Sequence, residues 1–438
     1  MKRNDSSGLL SLWNNILVCA QSFYGREVVQ NIALLASGSF IAQGLMAINA
    51  IVIARFLAPE AYGLYVGAYS AVGLSSFLVN WGLDTWILRQ GALADDPPAL
   101  AGSVLTIKGV LGVFWGTALF FLLPALEPNI FLKPLILIST LDVWCDGFFS
   151  AELATLNTQK RVSVVSSLLL TSRGGRLLSA ISVVGLGAQS PVSFAQARLV
   201  ATIIALIMAS WVLRPKFVAK LIRPVRAFRE SGPFALSDLL ATIYLQADVT
   251  LLALFLGDRR AVGLYAPASG LVNALFAIPA ASYQITLPAL MRLDGQEVRS
   301  FRHVVSKMFL GFLALGIFLW LGLWMSGSFL IEHLLGSAYR TTGELLSILS
   351  PILLLKSISF AGAALLVAVG WQHYRVIAQV VSAAANVLLN VLVIRHFGIW
   401  GVATVYVVSE FILAAGYVGL AMRWFRDHPN GSGVVKWT

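Results

Sequence analysis

Apolar runs of roughly 20 residues recur from one end of this chain to the other. A run of that length crosses a bilayer as a helix. The runs are continuous rather than alternating, which argues against a transmembrane β-barrel. Composition agrees: the 438 residues are 58% hydrophobic and 12% charged, with mean hydropathy +0.82. Soluble domains carry about 25% charge. The expected fold is therefore all-α and polytopic. Twelve spans are expected, at 32–54, 63–88, 101–124, 131–154, 163–186, 192–213, 233–256, 263–290, 303–326, 343–369, 374–395 and 399–422. Proline punctuates the gaps, as at Pro59, Pro97-Pro98, Pro128, Pro191, Pro215 and Pro224.

A sequence word repeats at half the chain length. Ala54-Arg55-Phe56-Leu57 leads through Pro59-Glu60 to Gly63-Leu64-Tyr65. Phe255-Leu256-Gly257-Asp258 leads to Gly263-Leu264-Tyr265, an offset of 200 residues. Seven residues before each Phe-Leu stands a polar residue, Asn49 or Asp248. An internal repeat on this scale implies two similar six-helix halves. With an even number of spans per half, the pseudo-two-fold axis runs along the membrane normal. The expected organisation is an N-terminal amphipathic segment (1–30), a first lobe (31–213), a basic linker (214–232), a second lobe (233–424) and a tail (425–438).

Charge placement sets the orientation. With the N-terminus cytoplasmic, twenty lysines and arginines fall in cytoplasmic segments and six on the opposite side. That bias places both termini inside. The net charge of +11 is spread over these short gaps, so nucleic acid is not the expected partner. Of the two cysteines, Cys145 falls within an apolar run, which argues against a disulfide framework.

No phosphate-binding Gly-x-x-x-x-Gly-Lys-Ser/Thr and no Gly-x-Ser-x-Gly elbow occurs. The five histidines lack metal-ligand spacing. No catalytic residue, metal or cofactor is expected. A chain that is nearly all membrane moves or holds something within it.

The informative residues are charges inside the spans, each costing about 2.5–3.5 kcal/mol at a helix centre. Arg173 and Arg176 share one face of span five around Gly174-Gly175; Lys108, Arg198 and Lys356 lie in spans three, six and ten. Asp142 and Asp146 share a face of span four. The arginines either pair with them in a salt-bridge lattice or line a water-filled cavity, and the two can coexist. Asp84 is either an ion site or a partner of Arg89 or Lys108. Asp248, Glu410 and Asp238 are candidates for proton coupling or for interhelical hydrogen bonds. Tyr62, Tyr65, Trp320, Trp324 and Trp424 read as interfacial anchors, whereas Trp81 and Trp144 lie deep enough to stack on a sugar.

The Ala54–Tyr65 word, Asp248 through Gly263-Leu264-Tyr265, Leu334-Leu335-Gly336-Ser337-Ala338-Tyr339, and Asn386-Val387-Leu388-Leu389-Asn390 followed by Phe397-Gly398-Ile399-Trp400-Gly401 carry a resemblance. Together they resemble the Wzx-type flippases of the multidrug/oligosaccharidyl-lipid/polysaccharide (MOP) exporter superfamily. The segment from Arg173 to Arg176 matches no motif of that family. The resemblance implies two six-helix bundles around a V-shaped cavity. It further implies alternating access, carrying a polyprenyl-diphosphate-linked oligosaccharide across the bacterial inner membrane for lipopolysaccharide or exopolysaccharide synthesis. Membrane lipids, a polysaccharide polymerase and chain-length proteins are the partners it suggests. A diphosphate needs cations, and arginine binds phosphate in bidentate fashion. Arg173 and Arg176, then Lys108, Arg198 and Lys356, are the candidate substrate ligands. Asp84, Asp248 and Glu410 are the candidates for ion coupling. Two other readings stay open: a cation-coupled drug antiporter, whose site would favour carboxylates and aromatics, and a non-transporting scaffold in polysaccharide assembly.

Overall fold

The computed structural model describes residues 37–91, 96–188, 190–214, 224–291 and 298–427. The first lobe comprises α1 (Ser37–Phe56), α2 (Pro59–Ser75), α3 (Phe77–Asn80), α4 (Leu83–Gly91), α5 (Pro97–Leu126), α6 (Lys133–Thr158), α7 (Val162–Gly185) and α8 (Pro191–Leu213). The second comprises α9 (Pro224–Leu256), α10 (Arg259–Leu275), α11 (Ala277–Met291), α12 (Val298–Leu335), a 3₁₀ turn (Ser337–Tyr339), α13 (Arg340–Leu349), α14 (Pro351–Ala368) and α15 (Gln372–Asp427). α15 folds back on itself at Gly398, whose φ of 53° and ψ of −136° leave the helical region. Ser382 Oγ on one arm donates to the Ser409 carbonyl on the other at 2.6 Å, so the arms run antiparallel.

Counting α2–α4, α10–α11 and α13–α14 as single rods and α15 as two gives twelve rods among the described residues, six per lobe. Packing repeats between the lobes: α6 lies against α5 and α8, and α14 lies against α12 and α15. Nine helical stretches are long and apolar enough to span a bilayer unaided, with α15 counted once, among the described residues. The two rods that are not are α7, which carries Arg173 and Arg176, and α9, apolar only over Gln246–Leu256. Large apolar side chains such as Phe114, Trp211 and Phe318 are exposed on the outside, as a lipid-facing belt requires.

Several spans differ from the sequence expectation; α12 runs on to Leu335 rather than ending near 326. α9 begins at Pro224 rather than near 233, so residues 224–232 are helix. Span two is interrupted at Trp81 and Gly82, both at positive φ (41° and 68°). There α9 packs against Gly82 so closely that a Cβ would meet the Ala235 nitrogen. Residues 1–36, 215–223 and 428–438, which hold the expected N-terminal segment, part of the basic linker and most of the tail, lie outside the described residues.

The lobes meet along α2 and α10. A Cβ on Gly63 would overlap the Arg259 carbonyl, and one on Gly263 would overlap the Pro59 carbonyl. Each clash is the other shifted by 200 residues, so the sequence repeat is a physical two-fold contact. The core along this seam repeats in the same way: Ala68 with Ala268 and Val72 with Val272 are fully buried. α2 begins with Pro59 in its first turn. α10 begins with Asp258 as N-cap, accepting from the Arg260 and Ala261 amides.

The Arg55 end of the seam is further clasped by helix termini. The last carbonyls of a helix lack intrahelical donors. The Arg55 guanidinium donates to the His333 and Leu334 carbonyls at the end of α12, at 2.9 and 3.0 Å. The Tyr339 hydroxyl lies 2.7 and 2.9 Å from the Ala54 and Leu57 carbonyls at the end of α1, its single hydrogen shared between them. At the opposite end, Trp86 Nε1 and Gln90 Nε2 both donate to Glu230 Oε2 on α9. Gly63→Ala and Gly263→Ala are each expected to lower stability by about 1–3 kcal/mol, because the obstacle is backbone that no rotamer can move. Gly109→Ala and Gly311→Ala, where a Cβ meets nothing within 4 Å, should leave the melting temperature in detergent almost unchanged. Equal melting of all four variants would refute the close approach.

Candidate functional site

A cavity of about 480 Å³ lies between the lobes, walled by α1, α2, α3, α6, α8, α9 and α10. That falls within the range of small-molecule sites, about 300–1,000 Å³. A second, more apolar cleft of about 340 Å³ lies between α1, α10 and the end of α12. The two share Met46, Ala50, Tyr62, Ala266, Gly270 and Asn273 as lining, so the cavity and the more apolar cleft adjoin.

The charged wall of the cavity belongs to the first lobe. Asp142 and Asp146 leave one face of α6, Arg173 and Arg176 one face of α7, and Arg198 and Thr202 one face of α8. Arg176, only 1% exposed, donates through Nη2 to Asp146 at 2.5 Å and through Nε to Thr202 at 3.2 Å. Arg173 lies 3.6 Å from the same Asp146 oxygen and keeps a fifth of its side chain exposed. Arg198 Nε sits 2.8 Å from the fully buried Asp142. Its guanidinium stacks over the Tyr69 ring at 4.0 Å and reaches the Tyr65 hydroxyl at 3.5 Å. Thr202 joins the two halves, accepting from Arg176 and donating to Asp142.

This is the lattice considered from the sequence, with one exchange of partners. Asp146 takes both α7 arginines, while Asp142 is claimed by Arg198, because α8 packs on the Asp142 face of α6. The i, i+4 pair Arg198 and Thr202 was the available signal for that face. Three guanidinium groups face two carboxylates, so one positive charge is uncompensated within the cluster. Asp146 and Arg198 line the cavity itself.

Two further ion pairs lie within the helices, and Asp248 is held by neutral groups. Lys108, fully buried, donates to Asp84 at 2.6 Å, Asn80 at 3.1 Å and the Gly147 carbonyl at 2.9 Å, which uses all three ammonium hydrogens. Asp84 also accepts from Ser150, and Asp238 lies near this pair. Lys356 on α14 stands 3.2 Å from the buried Glu410 on α15, a pairing that sequence distance concealed. Asp248 on α9 accepts from Tyr265 at 3.1 Å and Asn390 at 2.8 Å, and Asn390 in turn donates to Asn386. No salt bridge to Asp248 occurs among the described residues. The i, i+4 pair Asn386 and Asn390 in an apolar helix was the overlooked sequence signal.

The aromatic residues correct the sequence reading. Tyr62 and Tyr65 are not interfacial anchors. With Tyr69 they form a buried stripe along α2 that lines the cavity, because α2 is the central seam helix. Trp424 is buried against Phe301 rather than exposed at an interface; Trp324 is exposed. Trp81 donates to the Phe228 carbonyl and Trp144 to the Lys108 carbonyl, so both indoles bridge helices and neither lines the cavity. Among the described residues no group of three or more His, Cys, Asp or Glu could hold a metal.

Removing one partner of a buried ion pair costs about 3–5 kcal/mol, since the other charge is stranded. Asp146→Asn should therefore destabilise far more than Arg173→Ala, because it strands the buried Arg176. Combining Asp146→Asn with Arg176→Met should recover much of the loss. Thermal unfolding in detergent measures this, and equal melting of Asp146→Asn and Arg173→Ala would rule out the lattice.

The chain shares its fold with known membrane transporters. The lipid II flippase MurJ in an inward closed conformation superposes with TM-score 0.73 at 12% identity, over 89% of this chain and 87% of that one. An inward-facing multidrug resistance MATE family transporter of the MOP superfamily superposes with TM-score 0.69 at 15% identity, over 89% and 96%. The MATE multidrug transporter DinF-BH gives 0.58 at 16% identity, over 97% and 98%. Among curated proteins none matches the chain. The sequence profile of the polysaccharide biosynthesis proteins matches residues 52–344, about two thirds of the chain. With its helical, multi-pass MOP-type fold, the chain belongs to the polysaccharide biosynthesis protein family.

Proposed function

We propose that this protein is a flippase that carries a lipid-diphosphate-linked oligosaccharide across the bacterial inner membrane for surface polysaccharide synthesis. The observation that carries this reading is the cavity between two repeat-related lobes, with an excess of guanidinium over carboxylate on one wall and an apolar cleft alongside. An amphiphile with an anionic centre fits both parts: the diphosphate lies on the arginine wall and the polyprenyl chain lies in the cleft. Arginine is suited to the task because its planar fork meets phosphate oxygens in pairs. A drug antiporter for organic cations would favour the opposite charge.

Within that reading the five cations divide. Arg198, which lines the cavity, and Arg173, the more exposed of the α7 pair, take the diphosphate. Arg176 holds Asp146 in place, and Lys108 ties α5 to α3 and α4. Lys356 with Glu410 serves the second lobe. Asp248, a carboxylate held by neutral groups, takes the coupling cation, either a proton or sodium; Asp84 and Glu410 are the weaker alternatives because each already has an ammonium partner. Both termini and the Glu230 end of the seam are cytoplasmic, as the basic residues require. A polymerase and chain-length proteins would receive the product.

Proteoliposome translocation of a lipid-diphosphate-linked oligosaccharide tests the reading. Wild type should translocate, and Arg173→Ala with Arg198→Ala should slow transport at least about tenfold, equivalent to about 1.4 kcal/mol of lost stabilisation. Asp248→Asn should abolish the dependence on an ion gradient while leaving binding of the lipid intact. Wild type that moves no lipid-linked glycan from any donor would defeat the proposal in favour of a drug antiporter or a scaffold.

A further inference from the structure

Apart from Asp146 and Arg198, the only charged residues of its lining among those described, the cavity wall carries no charge. Its other polar side chains are amide, hydroxyl and phenol, set among apolar ones such as Ile53 and Val249. Asn49 on α1, Tyr69 on α2, Asn80 on α3, Gln246 on α9 and Asn273 on α10 converge on it from both lobes.

Several of these groups are unmatched. Asn49 Oδ1 and Gln246 Oε1 are buried without a hydrogen-bond partner among the described residues. The Tyr69 hydroxyl is likewise buried without a partner, although its ring is held by Arg198. Asn49 is 5% exposed and Tyr69 9%. Asn273 accepts from the Tyr406 hydroxyl at 3.0 Å, which orients its side chain and leaves the amide nitrogen to donate elsewhere. Buried polar groups are ordinarily paired, and a cluster of exceptions calls for a missing partner. Charged ligands are already provided for by the arginines. The unmatched set is neutral and mixes donors with acceptors, which is the complement of a ring of hydroxyl and acetamido groups.

We propose that this wall is a sugar subsite, in which Asn49, Tyr69, Gln246 and Asn273 bind the first one or two sugars of the lipid-linked glycan. It rests on the flippase reading and adds to it the group that the protein recognises beyond the diphosphate. The ligands come from both lobes, α1 and α2 on one side and α9 and α10 on the other. A sugar seated there touches the two bodies that must move against each other. The subsite therefore reads glycan identity at the seam itself, and a bare lipid diphosphate leaves its polar groups unmatched.

The test measures affinity of the purified protein in nanodiscs for synthetic polyprenyl diphosphate, either bare or carrying a neutral hexose or N-acetylhexosamine disaccharide. Wild type should bind at least one glycosylated form about tenfold or more tightly than the bare lipid. Asn49→Leu with Gln246→Leu should bring that ratio close to one while leaving affinity for the bare lipid unchanged, which also shows that the variant is folded. Should the double variant not fold, Tyr69→Phe, which keeps the ring over Arg198, takes its place and should lower the ratio severalfold. If wild type binds bare and glycosylated lipids equally, the subsite is refuted and the flippase reading stands. A ratio that survives in the variants would also overturn this assignment. If wild type binds neither lipid, both fail together.

Discussion

The close approach of α2 and α10 is the constraint on which the rest depends. Two glycines at equivalent positions of a repeat allow each helix to set its backbone against a carbonyl of the other. No side chain separates the lobes there, so the seam is narrow and its geometry is fixed by backbone. Everything lateral to it follows. The tyrosine stripe of α2 turns towards the cavity, and α1 is brought to the end of α12. The helix termini on that face then satisfy each other's carbonyls through Arg55 and Tyr339. Beyond the cavity, α2 to α4 lean on α9 through Gly73, Gly82 and the Glu230 contact.

The two lobes share an architecture and divide the electrostatics. In the first lobe, three arginines exceed two aspartates around the cavity wall. In the second, Lys356 and Glu410 compensate each other and Asp248 stands among neutral donors. An anion and a cation would thus find their places on opposite sides of one seam. That arrangement suits a carrier in which the ligand of each lobe biases the same rigid-body motion, since a ligand shifts a conformational equilibrium only by its different affinity for the two states.

Much of this was legible in the sequence. The twelve rods followed from the apolar runs, and the two-fold relation followed from the repeated Gly-Leu-Tyr word. The Asp146–Arg176 pairing is one of the two arrangements that helical spacing within adjacent spans left open. What was missed required tertiary knowledge. Arg198 claims Asp142 because α8 packs on α6, which spacing within one helix cannot reveal. Lys356 and Glu410 are 54 residues apart and meet only because α15 doubles back at Gly398. Tyr62 and Tyr65 were misplaced because a tyrosine near a span end resembles an interfacial anchor until it is known which helix is central. The break at Trp81-Gly82 was hidden by an apolar run that continued through it.

In the proposed flippase cycle, the Arg55 end of the seam has to open. Glu60 and Arg260 flank it at the surface, with the guanidinium 3.6 Å from the carboxylate and both side chains well exposed. The most direct measurement places cysteines at these two positions, joins them with a short bifunctional thiol reagent in proteoliposomes, and follows translocation of a lipid-linked oligosaccharide. Cross-linking should stop translocation, the single-cysteine controls should continue, and cleaving the linker should restore transport. Translocation at an undiminished rate through a fully cross-linked seam would contradict the proposed cycle.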